Sequence, residues 1–450
     1  MKRSTPFVML FVLALIAAQC APAPQAPAPA APAKEAPAAT QTPPQKEPAP
    51  TTEEVKTKEA RTVVIGFTAS QTGSQNVPSV RQNNGLKLWM DQVNKAGGVQ
   101  LSDGTLVKFA AVSYDDESSK DRVQELYTRL ATEDKADFLI SPYSSGLAAA
   151  AAIIAEQYGK VMITTGAASD STYKEGYTLV FQAYTPASRY LTGAVDLLAH
   201  VDPKAKKIAF VHENDQFSTD VVNAAKEYAG SKGYEVVLFE GYNSGTTDFG
   251  PFINKIGATQ PDALMGGGHF QDGSTFARQL YDKNVPLNFV SLLVAPPEPD
   301  FADLGDAAVG IIGPSQWEPL AAFTPESAKE SGLEWFGPLG GDFVKAYEAA
   351  YNGEEPSYHS AGGYAAGMIL QKAIMTAAST DPQAVKDALD KMDILTFYGR
   401  VKFETSPAAH GLQVGHEMVY IQWQKDGGKL VKQVIWPREG ATAQTLYPMP

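Results

Sequence analysis

From about residue 61 onward, short β-branched apolar runs alternate with stretches whose apolar positions recur at helical spacing. Residues 62–67 (TVVIGF) read as a buried strand. Leu86, Trp89, Met90 and Val93 then share one helical face, and Gly97-Gly98 ends that helix. Strands are predicted at 107–114, 138–140 and 161–163, with helices near 121–134 and 147–158 between and after them. The pattern restarts with strands at 207–212, 236–239 and 263–265 and helices at 221–232, 252–258 and 275–283. Strand–helix alternation implies right-handed βαβ units on a parallel sheet. Two consecutive sets predict an α/β fold of two doubly wound lobes.

In such sheets a ligand binds outside the carboxyl ends of the strands, so the loops there are the candidate site. Ser70-Gln71-Thr72-Gly73 follows the first strand. Ser141-Pro142-Tyr143-Ser144-Ser145-Gly146 places Ser144 and Ser145 at a helix N-terminus. Unpaired N–H groups and the helix dipole favour an anion there, although one serine can simply cap the helix. Small residues at Gly166, Ala167, Ala168 and Ser169 let backbone approach a ligand, and they also make ordinary turns. Phe217 and His269 end up at strand ends in the second half, as one aromatic wall with a polar tip.

The segment before residue 61 has a different character. Met1-Lys2-Arg3 precedes the apolar run FVMLFVLALIAA, which has signal-peptide length and is too short to span a bilayer. Cys20 follows where a bacterial lipoprotein is cut and acylated, with Gln19 in place of the usual small residue. An ordinary secretion signal is the competing reading. Either one puts the mature chain outside the cytoplasm, and the single cysteine offers no disulfide. Residues 21–60 are rich in Ala and Pro, a composition that cannot offset its own ordering entropy. Thirty such residues in polyproline form reach on the order of 90 Å, which suits a stalk. A formal net charge of −13 argues against nucleic acid or anionic lipid as a partner.

The chain resembles the type I periplasmic solute-binding proteins of ABC importers, in the leucine/isoleucine/valine- and amide-binding group. The stretches that carry the resemblance are VVIGFTASQTG, NGLKLWMDQVNKAGG, VSYDDESS, SPYSSG, GKVMITTGAASD, KKIAFVHENDQF and ALMGGGH, with looser matches at GGYAAGMILQKAI and TFYGRVKFE. It implies two lobes joined by three hinge crossings, 61–185 with 315–396 and 187–313 with 397–437, and a tail from 438 to 450. It also implies ligand capture by lobe closure, an ABC permease as partner, a monomer, no cofactor and no catalysis. The family's carboxylate anchor maps to Ser144 and Gly166-Ala167. Its ammonium partners map to Ala168, with Ser169 beside it, and to Leu293, where the nearest following acid is Glu298. The flanking aromatic positions map to Phe217 and His269. The candidate ligand-binding set is thus Ser70, Gln71, Ser144, Ser145, Gly166, Ala167, Ser169, Phe217 and His269, with Cys20 for lipid attachment. The expected ligand is a small carboxylate-bearing solute (branched-chain amino acid, amide or aromatic or aliphatic acid); Leu293 in place of an acid would leave a buried ammonium unpaired, which favours a carboxylate or amide with an apolar or aromatic body.

Rival functions fare less well. No G-x-S-x-G elbow or phosphate-binding glycine loop follows a strand, and His410 and His416 lack metal-ligand spacing. A ligand sensor of the same fold, feeding a signalling receptor, remains the alternative to import. Trp317, near a lobe crossing, either lines the cleft or plugs a hinge-side core, with the core favoured; residues 317–341 are expected as irregular connection and the tail as loosely ordered.

Overall fold

Nine residues rich in β-branched side chains, Arg61–Ala69, form β1, whose middle is buried on both faces as a central parallel strand requires. The computed structural model describes residues 60–321 and 323–450. Cys20 and residues 1–59, including nearly all of the proposed stalk, lie outside them.

The chain continues through α1 (Asn76–Lys95), β2 (Val99–Gln100), β3 (Leu106–Asp115), α2 (Lys120–Thr132), β4 (Phe138–Ile140), α3 (Ser145–Gln157), β5 (Met162–Thr164) and β6 (Val180–Gln182). These strands make one sheet in the order β2-β3-β1-β4-β5-β6, parallel except for the β2–β3 pair. A second set follows: α4 (Thr192–Val201), β7 (Lys207–Glu213), α5 (Gln216–Ser231), β8 (Glu235–Tyr242), α6 (Gly250–Thr259), β9 (Ala263–Gly267), α7 (Phe270–Asp282), β10 (Val290–Leu292) and β11 (Ile312–Ser315). Then come α8 (Pro325–Glu330), β12 (Glu334–Trp335), α9 (Gly340–Ala350), α10 (Tyr358–Ala377), α11 (Pro382–Asp390), β13 (Asp393–Thr396), β14 (Gly399–Lys402), β15 (Val419–Asp426) and β16 (Lys429–Trp436). The second sheet has the order β16-β15-β11-β10-β9-β7-β8, and β12, β13 and β14 form a small sheet of their own. All seven strands predicted from the sequence are present. The fold is α/β with two lobes, one on each large sheet.

The late helix α10 belongs to the first lobe by packing, not by sequence proximity. It lies against α1 so closely that glycine is required at the crossing. A Cβ on Gly85 would sit 1.8 Å from the Ser360 carbonyl oxygen, and one on Gly363 would sit 1.8 Å from that of Gln82. This contact brings the first turn of α10 to the carboxyl ends of β4 and β5.

Two readings of the C-terminal part change. The stretch 317–341 is not wholly irregular, since it contains α8 and β12. The tail is docked: Met449 N–H donates to the Asn288 carbonyl (2.9 Å), and Leu446 N–H donates to Gln422 Oε1 (2.8 Å). Its polar backbone finds partners on the second sheet that composition could not reveal. Trp317 is buried in the core, edge-on to Phe343 (5.5 Å) and Phe397 (5.8 Å).

Candidate functional site

In the first lobe the loops after β4 and β5 are tied together by serines. Ser141 Oγ donates to the Thr165 carbonyl (3.0 Å) and accepts from Thr165 N–H (3.1 Å). Ser145 Oγ accepts from Ala168 N–H (3.0 Å) and Ser169 N–H (3.1 Å). With both lone pairs taken, the Ser145 hydroxyl proton is left to donate elsewhere. Gly166 turns between these contacts at φ +63°, where a Cβ would lie 2.1 Å from Gln82 Oε1 and 2.7 Å from the Tyr143 ring.

From the second lobe, Asp215 caps α5 by accepting from Ser218 N–H (2.8 Å), which sets Phe217 in the first turn. His269 occupies the cap position of α7, and its N–H donates to Asp272 Oδ1 (2.8 Å). Its ring joins the two lobes: Nε2 lies 3.1 Å from Asp215 Oδ2, and Nδ1 lies 2.8 Å from the Tyr143 hydroxyl. Burial alone would push this imidazole down. The Asp215 carboxylate, with Glu213 and Asp272 behind it, outweighs burial and raises it to about 9. Asp215 is held below the ordinary aspartate value because its bonds to His269 and Ser218 overcome its own burial.

Between these groups lies a small cavity, about 10 Å³ in volume. Its walls are mainly aromatic: Tyr143, Tyr184, Tyr190, Phe217 and Tyr358, with the rings of His269 and His359. Ser145, Gly166, Ala168 and Val294 complete it. The rings brace one another edge-on, Tyr143 on His359 at 5.0 Å and Tyr190 on Phe217 at 5.1 Å. No carboxylate is among the lining residues. Four helices each contribute a cap or first-turn residue to the wall: Ser145 of α3, Phe217 of α5, His269 of α7, and Tyr358 with His359 of α10.

The second nearby acid, Glu298, is wholly buried behind His359. It accepts from His359 Nδ1 on one oxygen and lies 3.3 Å from Arg81 Nε with the other. Arg81 also pairs with Asp300 and Glu354, each at 3.1 Å. Burial pushes the Glu298 carboxyl up, but His359 and Arg81 outweigh it and hold it low. Burial pushes His359 down despite Glu298, so the pair is a carboxylate and a neutral imidazole.

The sequence profile of the periplasmic binding proteins matches residues 62–429. The chain belongs to the periplasmic binding protein family. Among relatives of this periplasmic binding protein is a Leu/Ile/Val-binding protein homolog from Brucella melitensis biotype 1, 24% identical over 385 residues, covering 84% of this chain and 91% of the relative. The structure of LivJ from Streptococcus pneumoniae in complex with isoleucine aligns with a TM-score of 0.67 at 22% identity, covering 84% of this chain and 100% of LivJ. A solute-binding protein of an ABC transporter from R. palustris, in complex with benzoate, aligns with a TM-score of 0.67 at 20% identity, covering 85% and 100%. Among the described residues of this periplasmic binding protein, no helix is long and apolar enough to cross a membrane.

The structure brings Ser145, Gly166, Phe217 and His269 together on the cavity wall. Ser144 holds the cap position of α3; its carbonyl accepts from Ala148 N–H (2.8 Å), and its side chain makes no cap bond. The other candidates lie off the wall. Ser70 Oγ donates to Asp116 (2.6 Å), and exposed Gln71 donates its N–H to Asp115 (2.9 Å). Ala167 offers its carbonyl to Gln182 Nε2 (3.4 Å), and Ser169 Oγ bonds to Asp220 of α5. Leu293 is buried with its N–H on the Gly266 carbonyl (2.8 Å), and Glu298 faces His359 and Arg81. Sequence reasoning passed over Tyr143, Tyr184, Tyr190, Tyr358 and His359. Tyr143 stood inside a candidate loop, and Tyr184 stands just past β6, so a tyrosine at a strand end was the available signal. For Tyr358 and His359 no local signal exists.

Proposed function

We propose that this periplasmic binding protein is the extracytoplasmic solute-capturing component of an ABC importer, and that its ligand is a small carboxylate with an aromatic or apolar body. The observation that carries the reading is the charge pattern of the cavity. Four helix N-terminal ends meet there, and no carboxylate oxygen faces inward. An anion gains from those ends and from the Ser145 proton. An α-ammonium would find Asp215 and Glu298 already taken by histidines, and leaving it unpaired costs several kcal/mol. The aromatic walls suit a flat or apolar body. The isoleucine and benzoate complexes of the similar proteins bracket this chemistry.

Closure of the lobes over the ligand is a hinge motion, with crossings near residues 186, 314 and 397. Acylation of Cys20 would tether the domain, acting as a monomer, to the membrane that holds the permease.

The test is the melting temperature of refolded protein against aliphatic amino acids, amides and aromatic or aliphatic carboxylates, since a ligand of the folded state raises it by mass action. A rise with benzoate-like acids and none with leucine is expected; the reverse removes the charge argument. Ser145→Ala is expected to weaken the best carboxylate by about 1.5–3 kcal/mol, the scale of a hydrogen bond to a charged group. Calorimetric titration showing wild-type affinity in that variant would remove Ser145 from the anchor.

A further inference from the structure

The geometry points to Tyr143 as the donor that recognises the ligand's negative charge, with His269 deciding whether its proton is available. The inference rests on the carboxylate reading above. The Tyr143 hydroxyl has one hydrogen-bond partner among the described residues, His269 Nδ1 at 2.8 Å. His269 Nε2 is held at 3.1 Å by Asp215 Oδ2, which as a carboxylate only accepts. Nε2 therefore carries a proton in every state.

The state of Nδ1 sets the direction of the other bond. A neutral ring accepts the Tyr143 proton at Nδ1, and the hydroxyl then presents only lone pairs to the cavity, which repel a carboxylate. An imidazolium donates from Nδ1 to the tyrosine oxygen, and the phenolic proton swings away from His269. Tyr143 lines the cavity, so that freed proton is offered to the ligand. The bond also spans the lobes, because Tyr143 follows β4 of one sheet while His269 and Asp215 follow strands of the other. One proton on His269 thus couples the ligand's charge to closure.

The groups that face His269 come from every side. Asp272 lies on its own helix, Glu213 ends β7 and Asp215 follows it, Tyr143 comes from the first lobe, and neutral His359 stands across the cavity. The carboxylates dominate and keep the imidazolium to about pH 9. Burial holds the Tyr143 phenol well above its ordinary value, so it does not ionise in that range. His269 is a positioning residue; Tyr143 makes the contact.

The experiment is calorimetric titration with benzoate, an anion throughout, from about pH 6 to about pH 10. Wild-type affinity is expected to hold to about pH 8 and then fall roughly tenfold, the scale of one charged hydrogen bond. Tyr143→Phe should bind roughly tenfold more weakly below about pH 8 and show a shallower profile, carrying only the loss of the His269 charge, so that the two curves converge at high pH. Parallel profiles for the two proteins would overturn the proposal. Histidine ¹⁵N shifts of the ligand-free protein, with His269 assigned by the loss of its signal in His269→Gln, supply a ligand-independent arm. Double protonation at neutral pH is expected, and a neutral His269 overturns the proposal. Absence of benzoate binding at every pH, with His269 still doubly protonated, would instead count against the ligand class and remove the basis for Tyr143 as its donor.

Discussion

Arg81→Met is expected to lower the stability of the ligand-saturated protein by about 3–5 kcal/mol, the cost of breaking a buried ion pair from one side. Arg81 stands in α1 of the first lobe and meets Glu298 and Asp300, which follow β10 of the second, as well as Glu354. Without it, Glu298 is a fully buried carboxylate with only the neutral His359 as partner. In the ligand-free protein the loss should be smaller, because parting of the lobes lets Glu298 reach water. Urea unfolding with and without ligand measures both. Equal, small shifts in the two states would refute the cross-lobe role. The pH dependence has a definite sign. Glu298 is held below its ordinary value in the fold, so its contribution is present above about pH 4.5 and is lost as pH falls through the depressed value. Arg81→Met should flatten that acid limb.

Gly363→Ala is expected to destabilise by about 3 kcal/mol, at the upper end for overpacking. The added methyl would meet the Gln82 carbonyl oxygen at 1.8 Å, and backbone on a packed helix cannot step aside. Alanine's better helix propensity, about 1 kcal/mol, works in the opposite direction and does not cover the clash. Because α10 carries Tyr358 and His359 at its start, affinity should fall together with the melting temperature. Gly257→Ala is the matched comparison. It lies in α6 with nothing within 4 Å of the new atom, so there the propensity acts alone and a gain of about 0.5–1 kcal/mol is expected. Similar melting temperatures for the two variants would show that the helix crossing is looser than described.

The lobes were legible because parallel strands leave local marks. Runs such as KIAFVH are apolar on both faces, and the helices between them repeat at their own period. The topological rule then pointed to loops after strands, and Ser145, Gly166, Phe217 and His269 lie on the cavity wall. What local pattern does not encode is convergence. Tyr358 and His359 reach the cavity only because glycines let α10 sit on α1, and Glu298 is positioned by Arg81 and His359. Ser70 shows the converse. It stands at a strand end as the rule requires, yet its hydroxyl is spent on Asp116, a partner 46 residues away.

Beside the cavity the lobes are also joined by bonds among residues that do not line it. Ser171 Oγ donates to Asp220 Oδ2 (2.9 Å), Gln216 Nε2 donates to Ser171 Oγ (2.9 Å), and Ser169 bonds to the same Asp220. These and the Tyr143–His269 contact must part when the lobes separate. Residence time is thus expected to depend on the rim, and the choice of solute on the wall. Two solutes of unequal affinity can leave at similar rates once the rim has opened, which suits a carrier that must surrender its cargo to a partner on contact.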